Sequence, residues 1–339
     1  MALMLLTGAT GRLGSLVAKA LLARGDSVRA VVRPESSGVA RLPQGVEKFE
    51  HDLGAASLPE SAFDGVHKVA HVAGLVGDYP YSQLVLSNAF SVKHLLSNCP
   101  QEIDKVVLAS SISVYGEYRG QIVDESFEPK TESPYGKSKL LGETFAREYA
   151  SALPIVLLRL GMIYGPDFEE GYFQILDRLA SGKMQFLGDG GNRMPLVHQS
   201  DAVRAILLAL DSGEGIAHCR EYNIVGEEKP TQKELITLAA TSLNVAVPVK
   251  SAPAFLAGAG VAVQSALSLA GLCRRPSISG ENIRQMTLDR AYSGARAKAE
   301  LGFEAKVPLS EGMKEVVAAY RAKRQPAAPA FAAQQAPPA

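Results

Sequence analysis

The sequence predicts an α/β chain: a doubly wound parallel sheet with helices on both faces, followed by a smaller C-terminal substrate-binding region. Three observations carry that expectation. Short apolar runs alternate with amphipathic helical stretches through the first half of the chain. A glycine turn, Gly8-x-x-Gly11-x-x-Gly14, joins the first apolar run to the first helical stretch, and after Pro166 the alternation loosens. At 339 residues the chain is long enough for one large domain or two unequal ones with a sizeable core.

Leu3 to Leu6 read as a buried first strand. No basic segment precedes it and it ends directly in the glycine turn, unlike a signal peptide. The turn Thr7-Gly8-Ala9-Thr10-Gly11-Arg12-Leu13-Gly14 then opens a helix from Ser15 to Arg24. Glycines at this spacing allow a tight turn, close approach of a pyrophosphate and packing of helix on strand, which is the Rossmann dinucleotide pattern. The helix N-terminus offers N–H groups and a positive dipole end to phosphates.

Ser27 to Val32 form the second strand, closed by Arg33 and Pro34. A site preferring NAD carries a carboxylate at that position for the ribose hydroxyls; a guanidinium suits a 2′-phosphate instead. Arg33 therefore favours NADP(H) over NAD(H). Val46 to Leu53 read as a third strand ending in Asp52-Leu53, and Val66 to Gly74 as a fourth. The fourth closes in Ala73 and Gly74, small enough to let a cofactor lie across the sheet edge. His67 and His71 on that strand have no carboxylate or cysteine cluster beside them and read as structural.

Helical spacing of Leu84, Leu86, Val92, Leu95 and Leu96 predicts a helix from Ser82 to Asn98. The apolar run Val106-Val107-Leu108 then delivers Ser110 and Ser111. Ser133-Pro134-Tyr135-Gly136-Lys137-Ser138-Lys139 starts a helix expected to reach about Ala152, with Tyr135 and Lys139 on one face. An ammonium beside a phenol favours the phenolate, giving a tyrosine able to exchange a proton with a carbonyl or carbinol oxygen. Pro154 to Leu160 form a sixth strand.

Composition excludes several classes. Lys+Arg and Asp+Glu each number 35, so no net basic field recruits nucleic acid. Cys99, Cys219 and Cys273 are scattered without metal-type pairing and read as reduced thiols of a cytoplasmic protein. No metal is expected. Residues 251–273 carry no charge, a length that suits either a lid helix over the substrate pocket or peripheral contact with a bilayer. Residues 325–339 are a low-complexity tail expected to be disordered.

The Tyr135-x-x-x-Lys139 pair, with Ser110-Ser111-Ile112-Ser113-Val114-Tyr115-Gly116 upstream, resembles the extended branch of the short-chain dehydrogenase/reductase superfamily, the NAD-dependent epimerase/dehydratase family. Arg159-x-x-x-x-Tyr164-Gly165-Pro166, the Arg193 strand, Val197-x-x-x-Asp201-x-Val203 and Leu301-Gly302-Phe303 followed by Glu311-Gly312 extend the likeness to about Arg324. It implies a Rossmann core over 1–165, rejoined by 193–226, and a mainly substrate-binding region over 166–324. Ser111, Tyr135 and Lys139 are the implied catalytic set, with Lys139 lowering the Tyr135 pKa and binding the nicotinamide ribose. Asp52 and Leu53 fall beside the adenine, Met162 beside the nicotinamide, and Asn88 at the position of the family's active-site helix asparagine. The resemblance implies that Arg193, like Ser111, contacts substrate. In relatives acting on sugar nucleotides that arginine often clamps a diphosphate, and helix pairs flanking the tyrosine commonly build a homodimer.

Ser111-Ile112-Ser113 lacks the carboxylate pair of the family's 4,6-dehydratases. Two enzymatic readings stay open. One is a reductase or dehydrogenase of a hydrophobic small molecule, similar to dihydroflavonol reductases and 3β-hydroxysteroid dehydrogenases, favoured by Arg33 and residues 251–273. The other is a nucleotide-sugar 4-epimerase, favoured by Arg193 and the turn 188–192. A third reading, a non-catalytic sensor or structural subunit, is opposed by the retained Ser111, Tyr135 and Lys139.

Overall fold

Seven parallel strands form the central sheet, in the order β11-β7-β5-β4-β1-β2-β3. They are β1 (Leu3–Thr7), β2 (Ser27–Val32), β3 (Glu47–Glu50), β4 (Val66–His71), β5 (Lys105–Ser111), β7 (Ile155–Leu160) and β11 (Arg220–Ile224). Among the described residues three two-stranded ladders lie outside it: β6 (Ile122–Val123) with β13 (Ala291–Tyr292), β8 (Met162–Tyr164) with β10 (Leu196–His198), and β9 (Phe186–Leu187) with β12 (Ser251–Ala252). This computed structural model describes residues 2–213, 219–253 and 286–324.

The near-continuous apolar runs in β1, β5 and β7 follow from burial on both faces, as parallel sheets require. On one face α1 (Arg12–Ala23), α6 (Gln199–Leu210) and α8 (Ala295–Leu301) pack through Val17, Leu21, Ile206 and Leu301. On the other, α3 (Ser91–Leu96) and α4 (Pro134–Glu148) contribute Val92, Leu95 and Ala146. A third cluster gathers α5 (Glu169–Ala180), α7 (Gln232–Leu243) and α9 (Leu309–Arg324) around Phe173, Leu235 and Met313. α7 begins with a full capping box between Thr231 and Glu234, as that spacing suggests.

The chain adds β2 and β3 on one side of β1 and then crosses back from β3 to add β4 on the other side, so the strand order reverses at β1. In an open α/β sheet the ligand crevice lies at such a switch point, beyond the carboxyl ends of the strands. Several elements differ from expectation: α1 starts at Arg12, before Ser15, and β4 stops at His71, short of Gly74. The third strand stops at Glu50, because Asp52 turns the chain by accepting from the Gly54 N–H at 2.9 Å. The tyrosine helix ends at Glu148, with Tyr149 as its cap, instead of about Ala152. The helix expected from Ser82 to Asn98 is α2 (Tyr81–Val85), a π turn over Leu86–Phe90, then α3. The π turn places Asn88 inward, where only 1% of it is exposed.

Among the described residues no helix is long and apolar enough to cross a membrane, and no group of His, Cys, Asp and Glu could hold a metal ion. The uncharged stretch 251–273 beyond residue 253 and the tail 325–339 lie outside the described residues.

Candidate active site

The phosphate end of the crevice is built from backbone. Gly8 turns the chain with φ +72°, and a Cβ there would stand 2.6 Å from the Ala73 nitrogen across the switch point. At Gly14 a Cβ would stand 2.1 Å from the Gly8 carbonyl oxygen, so helix and turn touch backbone to backbone. Gly11 is the N-cap of α1 and brings no side chain to the first turn, which leaves its N–H groups directed outward. That cradle fits a dinucleotide pyrophosphate. Thr10 and Arg12 flank it, the Arg12 carbonyl accepting from Ser15 Oγ at 2.9 Å, while Leu13 packs against the core.

Arg33 stands exposed just after β2, at the start of a turn in which its carbonyl accepts from the Ser36 N–H at 3.2 Å. Arg41, which sequence reasoning missed, reaches the Thr10 carbonyl with Nη1 at 3.2 Å. Its signal was faint: one arginine in a short loop eight residues beyond another. Leu53 is buried in the second core cluster, so Asp52 is the polar member of that pair.

The catalytic end is built from side chains. Ser111 is the last residue of β5 and the N-cap of a short 3-10 turn, its Oγ accepting from the Ser113 N–H at 3.1 Å. Tyr135 and Lys139 lie one turn apart on α4, which starts cleanly because Ser133 caps the Gly136 N–H and Pro134 occupies the first turn. The Ser111 hydroxyl lies near enough to the Tyr135 phenol to favour its ionised form. Lys139 is 7% exposed; its Nζ donates to the Ala109 carbonyl at 3.0 Å and lies where a Cβ on Gly74 would meet it at 2.9 Å. Asn88 holds Leu75 from both sides, accepting from its N–H at 2.7 Å and donating to its carbonyl at 3.0 Å, and donates to Ser138 Oγ at 2.9 Å. The chain segment past Gly74 is thereby fixed against α4.

Electrostatics at this end run against one expectation. Burial raises the Tyr135 pKa, and the nearby Ser111 hydroxyl opposes the rise. Burial of the ammonium lowers the Lys139 pKa to about 8, with the Glu143 carboxylate opposing the fall. Burial, then the Lys139 charge, lower His71 to about 3, so it is neutral beside Thr7, whose Oγ1 is 2.8 Å from its Nδ1. It is structural, as expected.

Arg193 does not stand open to a ligand. Its Nε and Nη2 hold Asp289 at 2.8 and 2.7 Å, and its N–H donates to the same carboxylate at 3.0 Å. The sequence offered no sign of that partner, ninety-six residues away. Met162 lies in β8 with its sulfur 3.4 Å from Arg290 Nη2. Beyond Ser113 a cavity of about 330 Å³ is lined by Gly116, Glu117, Lys130, Thr131, Glu132, Leu288 and Arg290. At the rim past Gly74, Val76, Tyr79 and Tyr81 are exposed apolar groups.

A family model described as the NAD dependent epimerase/dehydratase family matches residues 4–225. The chain is 31% identical to sterol demethylase protein B of Methylococcus capsulatus over 235 residues, 66% of this chain and 69% of that protein. It is 25% identical to a 2-alkyl-3-oxoalkanoate reductase of Stenotrophomonas maltophilia, over 94% of this chain and 99% of that one. Among solved structures, a UDP-glucuronic acid 4-epimerase from Bacillus cereus in complex with NAD has the same fold, with a TM-score of 0.76 at 21% identity over 95% of this chain and all of that one. A UDP-glucose 4-epimerase of Thermotoga maritima with UDP-glucose gives 0.74 at 25% identity over the same shares.

Proposed function

Because the chain belongs to the NAD dependent epimerase/dehydratase family and is an oxidoreductase of it, we propose that it reduces a ketone on a hydrophobic small molecule with NADPH. The observation that carries this reading is Arg33, exposed at the end of β2 where a carboxylate would favour NAD, together with Arg41, which is bonded to the Thr10 carbonyl of the glycine turn. The engagement of Arg193 by Asp289 supports it, since a guanidinium already held by a carboxylate is a poor diphosphate clamp. So does the apolar rim of Val76, Tyr79 and Tyr81.

The bound dinucleotide supplies a hydride to the carbonyl carbon. Ser111 holds the carbonyl oxygen by hydrogen bonding, and Tyr135 donates its phenolic proton to that oxygen, so ketone, hydride and proton become the secondary alcohol. The raised Tyr135 pKa keeps the phenol protonated at neutral pH, the state that reduction requires. Lys139, charged below about pH 8, steadies the developing charge and binds the nicotinamide ribose. Gly8, Gly11 and Gly14 would hold the pyrophosphate, Ala73 and Gly74 would let the dinucleotide cross the sheet edge, and Asp52 would accept from the adenine. The cluster of α5, α7 and α9 would close the substrate side. The free thiols of Cys99 and Cys219 accord with a cytoplasmic setting.

A second reading, a nucleotide-sugar 4-epimerase, is favoured by the polar lining of the cavity beyond Ser113, which includes Lys130 and Glu132. One experiment separates the two. The purified protein is assayed with NADPH and ethyl 3-oxooctanoate, and separately with UDP-glucose, while NADPH and NADH are titrated calorimetrically. Ketone-dependent NADPH oxidation with NADPH bound at least tenfold more tightly than NADH is the expected result. NAD retained through purification together with interconversion of UDP-glucose would overturn it.

A further inference from the structure

Beneath the catalytic serine lies a buried ionic network that the reaction does not touch. Arg159, 2% exposed, is the lone charge of β7 and pairs in register with Ser110 of β5. Its Nε and Nη2 donate to the two oxygens of Glu143 at 3.0 and 2.7 Å, and Glu143, 3% exposed, sits one turn past Lys139 on α4. Ser110 Oγ donates to the same carboxylate at 2.6 Å. The third guanidinium nitrogen donates to the Tyr115 hydroxyl at 2.7 Å, which in turn donates to Asn223 Oδ1 at 2.9 Å. Ser111 is therefore bracketed. The residue before it is tied to the Glu143 carboxylate and the tyrosine four after it to the guanidinium that this carboxylate holds, and the same carboxylate ties β5 to the helix that carries Tyr135 and Lys139.

We propose that Arg159 and Glu143 are positioning residues that set Ser111 against Tyr135 and Lys139; this rests on the catalytic set proposed above. Fold stability alone does not call for such a pair, because well-packed apolar residues of similar volume replace a buried ion pair at little or no cost, whereas losing one partner strands the other charge. A bidentate fork instead gives fixed geometry. Here the fork holds the carboxylate that also binds Ser110, and the remaining guanidinium nitrogen holds Tyr115, so both segments flanking Ser111 are fixed by one ion pair.

The test follows from that distinction. In the double variant Glu143→Leu/Arg159→Met neither member of the ion pair is left stranded, and, at a pH low enough to keep Lys139 charged without the Glu143 carboxylate, the expected result is a melting temperature and NADPH affinity near wild type with kcat on ethyl 3-oxooctanoate reduced about 10- to 100-fold and KM little changed. Ser110→Ala, which removes one bond of the network and strands no full charge, is expected to lower kcat by about tenfold. A folded double variant with wild-type kcat would overturn the proposal. Failure of the wild type on this ketone would refute the reductase reading instead, and a substrate-free signal then decides. The ¹³Cζ resonance of Tyr135, assigned by its loss in Tyr135→Phe, reports the Ser111 hydroxyl beside it. It should move in the double variant and in Ser110→Ala; an unmoved resonance in both would sink the positioning role.

Discussion

The two ends of the crevice are made of different material. At the phosphate end the fit is backbone against backbone: Gly8 against Ala73 and Gly14 against Gly8, with no room for a methyl group. At the catalytic end it is side chain against side chain, with Lys139, Glu143 and Arg159 all nearly buried and held by short hydrogen bonds. A backbone cradle needs only the absence of side chains, so adding atoms breaks it. A charged side-chain site needs particular atoms in particular protonation states, so removing atoms or changing pH breaks it. His71 marks the boundary, paired with Thr7 across the switch point on one side and facing the Lys139 charge on the other.

The largest effect expected is at the catalytic end. Tyr135→Phe deletes one oxygen and leaves the ring, so the proton donor is lost with little change in packing. Turnover should fall by about 10²- to 10⁴-fold. Calorimetric NADPH affinity and the melting temperature should stay near wild type, and retained turnover would remove Tyr135 from the role given to it.

The contrasting change is Gly14→Ala. One added carbon, 2.1 Å from the Gly8 carbonyl oxygen, must push α1 away from the turn. The fold should lose about 1–3 kcal/mol by denaturant melts, and both NADPH and NADH should bind more weakly, since the cradle is shared. A variant as stable and as tight as wild type would mean that the cradle is looser than its contacts show.

The boundary residue gives the pH test. The folded-state pKa of His71, about 3, lies below its ordinary value of 6.5. The unfolded chain therefore takes up a proton that the folded one refuses. Stability from this group is present above pH 6.5 and is lost as pH falls through 6.5 toward 3. Between pH 7 and pH 5 it amounts to about 2 kcal/mol. His71→Gln does not titrate, so the difference between the two proteins' urea-melt stabilities should narrow by about that much over this interval. A constant difference would show that His71 is charged in the folded state.

The same division explains what the sequence revealed. The glycine spacing is legible because a backbone cradle is encoded by residues adjacent in the chain, and the alternation of strands and helices follows from local periodicity. Tyr135 and Lys139 share one helix and were visible for that reason, as was Ser111 at the end of an apolar run. Partners drawn from distant segments were not visible: Asp289 for Arg193, Glu143 for Ser110 and Arg159, Leu75 for Asn88. The isolated arginine inside the apolar run 155–160 was the available signal for a buried ion pair, but Glu148 and Asp167 are nearer acids in the sequence than its actual partner, Glu143. The direction of the Tyr135 shift was illegible for a further reason. It depends on how much water the fold removes around the phenol and the ammonium, which pairwise spacing does not report.

The smallest effect returns to the phosphate end, at the place where it stops being backbone. Arg33 and Arg41 flank a turn whose geometry they do not create, so replacing them should leave the fold intact. On the proposed reading each guanidinium would contribute a charge-assisted bond to a 2′-phosphate of about 1.5–3 kcal/mol at most, reduced here because both side chains are exposed and screened. Arg33→Ala and Arg41→Ala should therefore each weaken NADPH by about tenfold and leave NADH nearly unchanged. Arg41 also anchors to the Thr10 carbonyl, so its loss frees that carbonyl while Arg33 loses no such contact. If Arg41→Ala weakens both cofactors equally, its part is to hold the turn and the 2′-phosphate reading falls on Arg33 alone. If neither variant changes the ratio of NADPH to NADH affinity, the two arginines do not read the phosphate, and the case for an NADPH-dependent reductase loses the observation on which it stands.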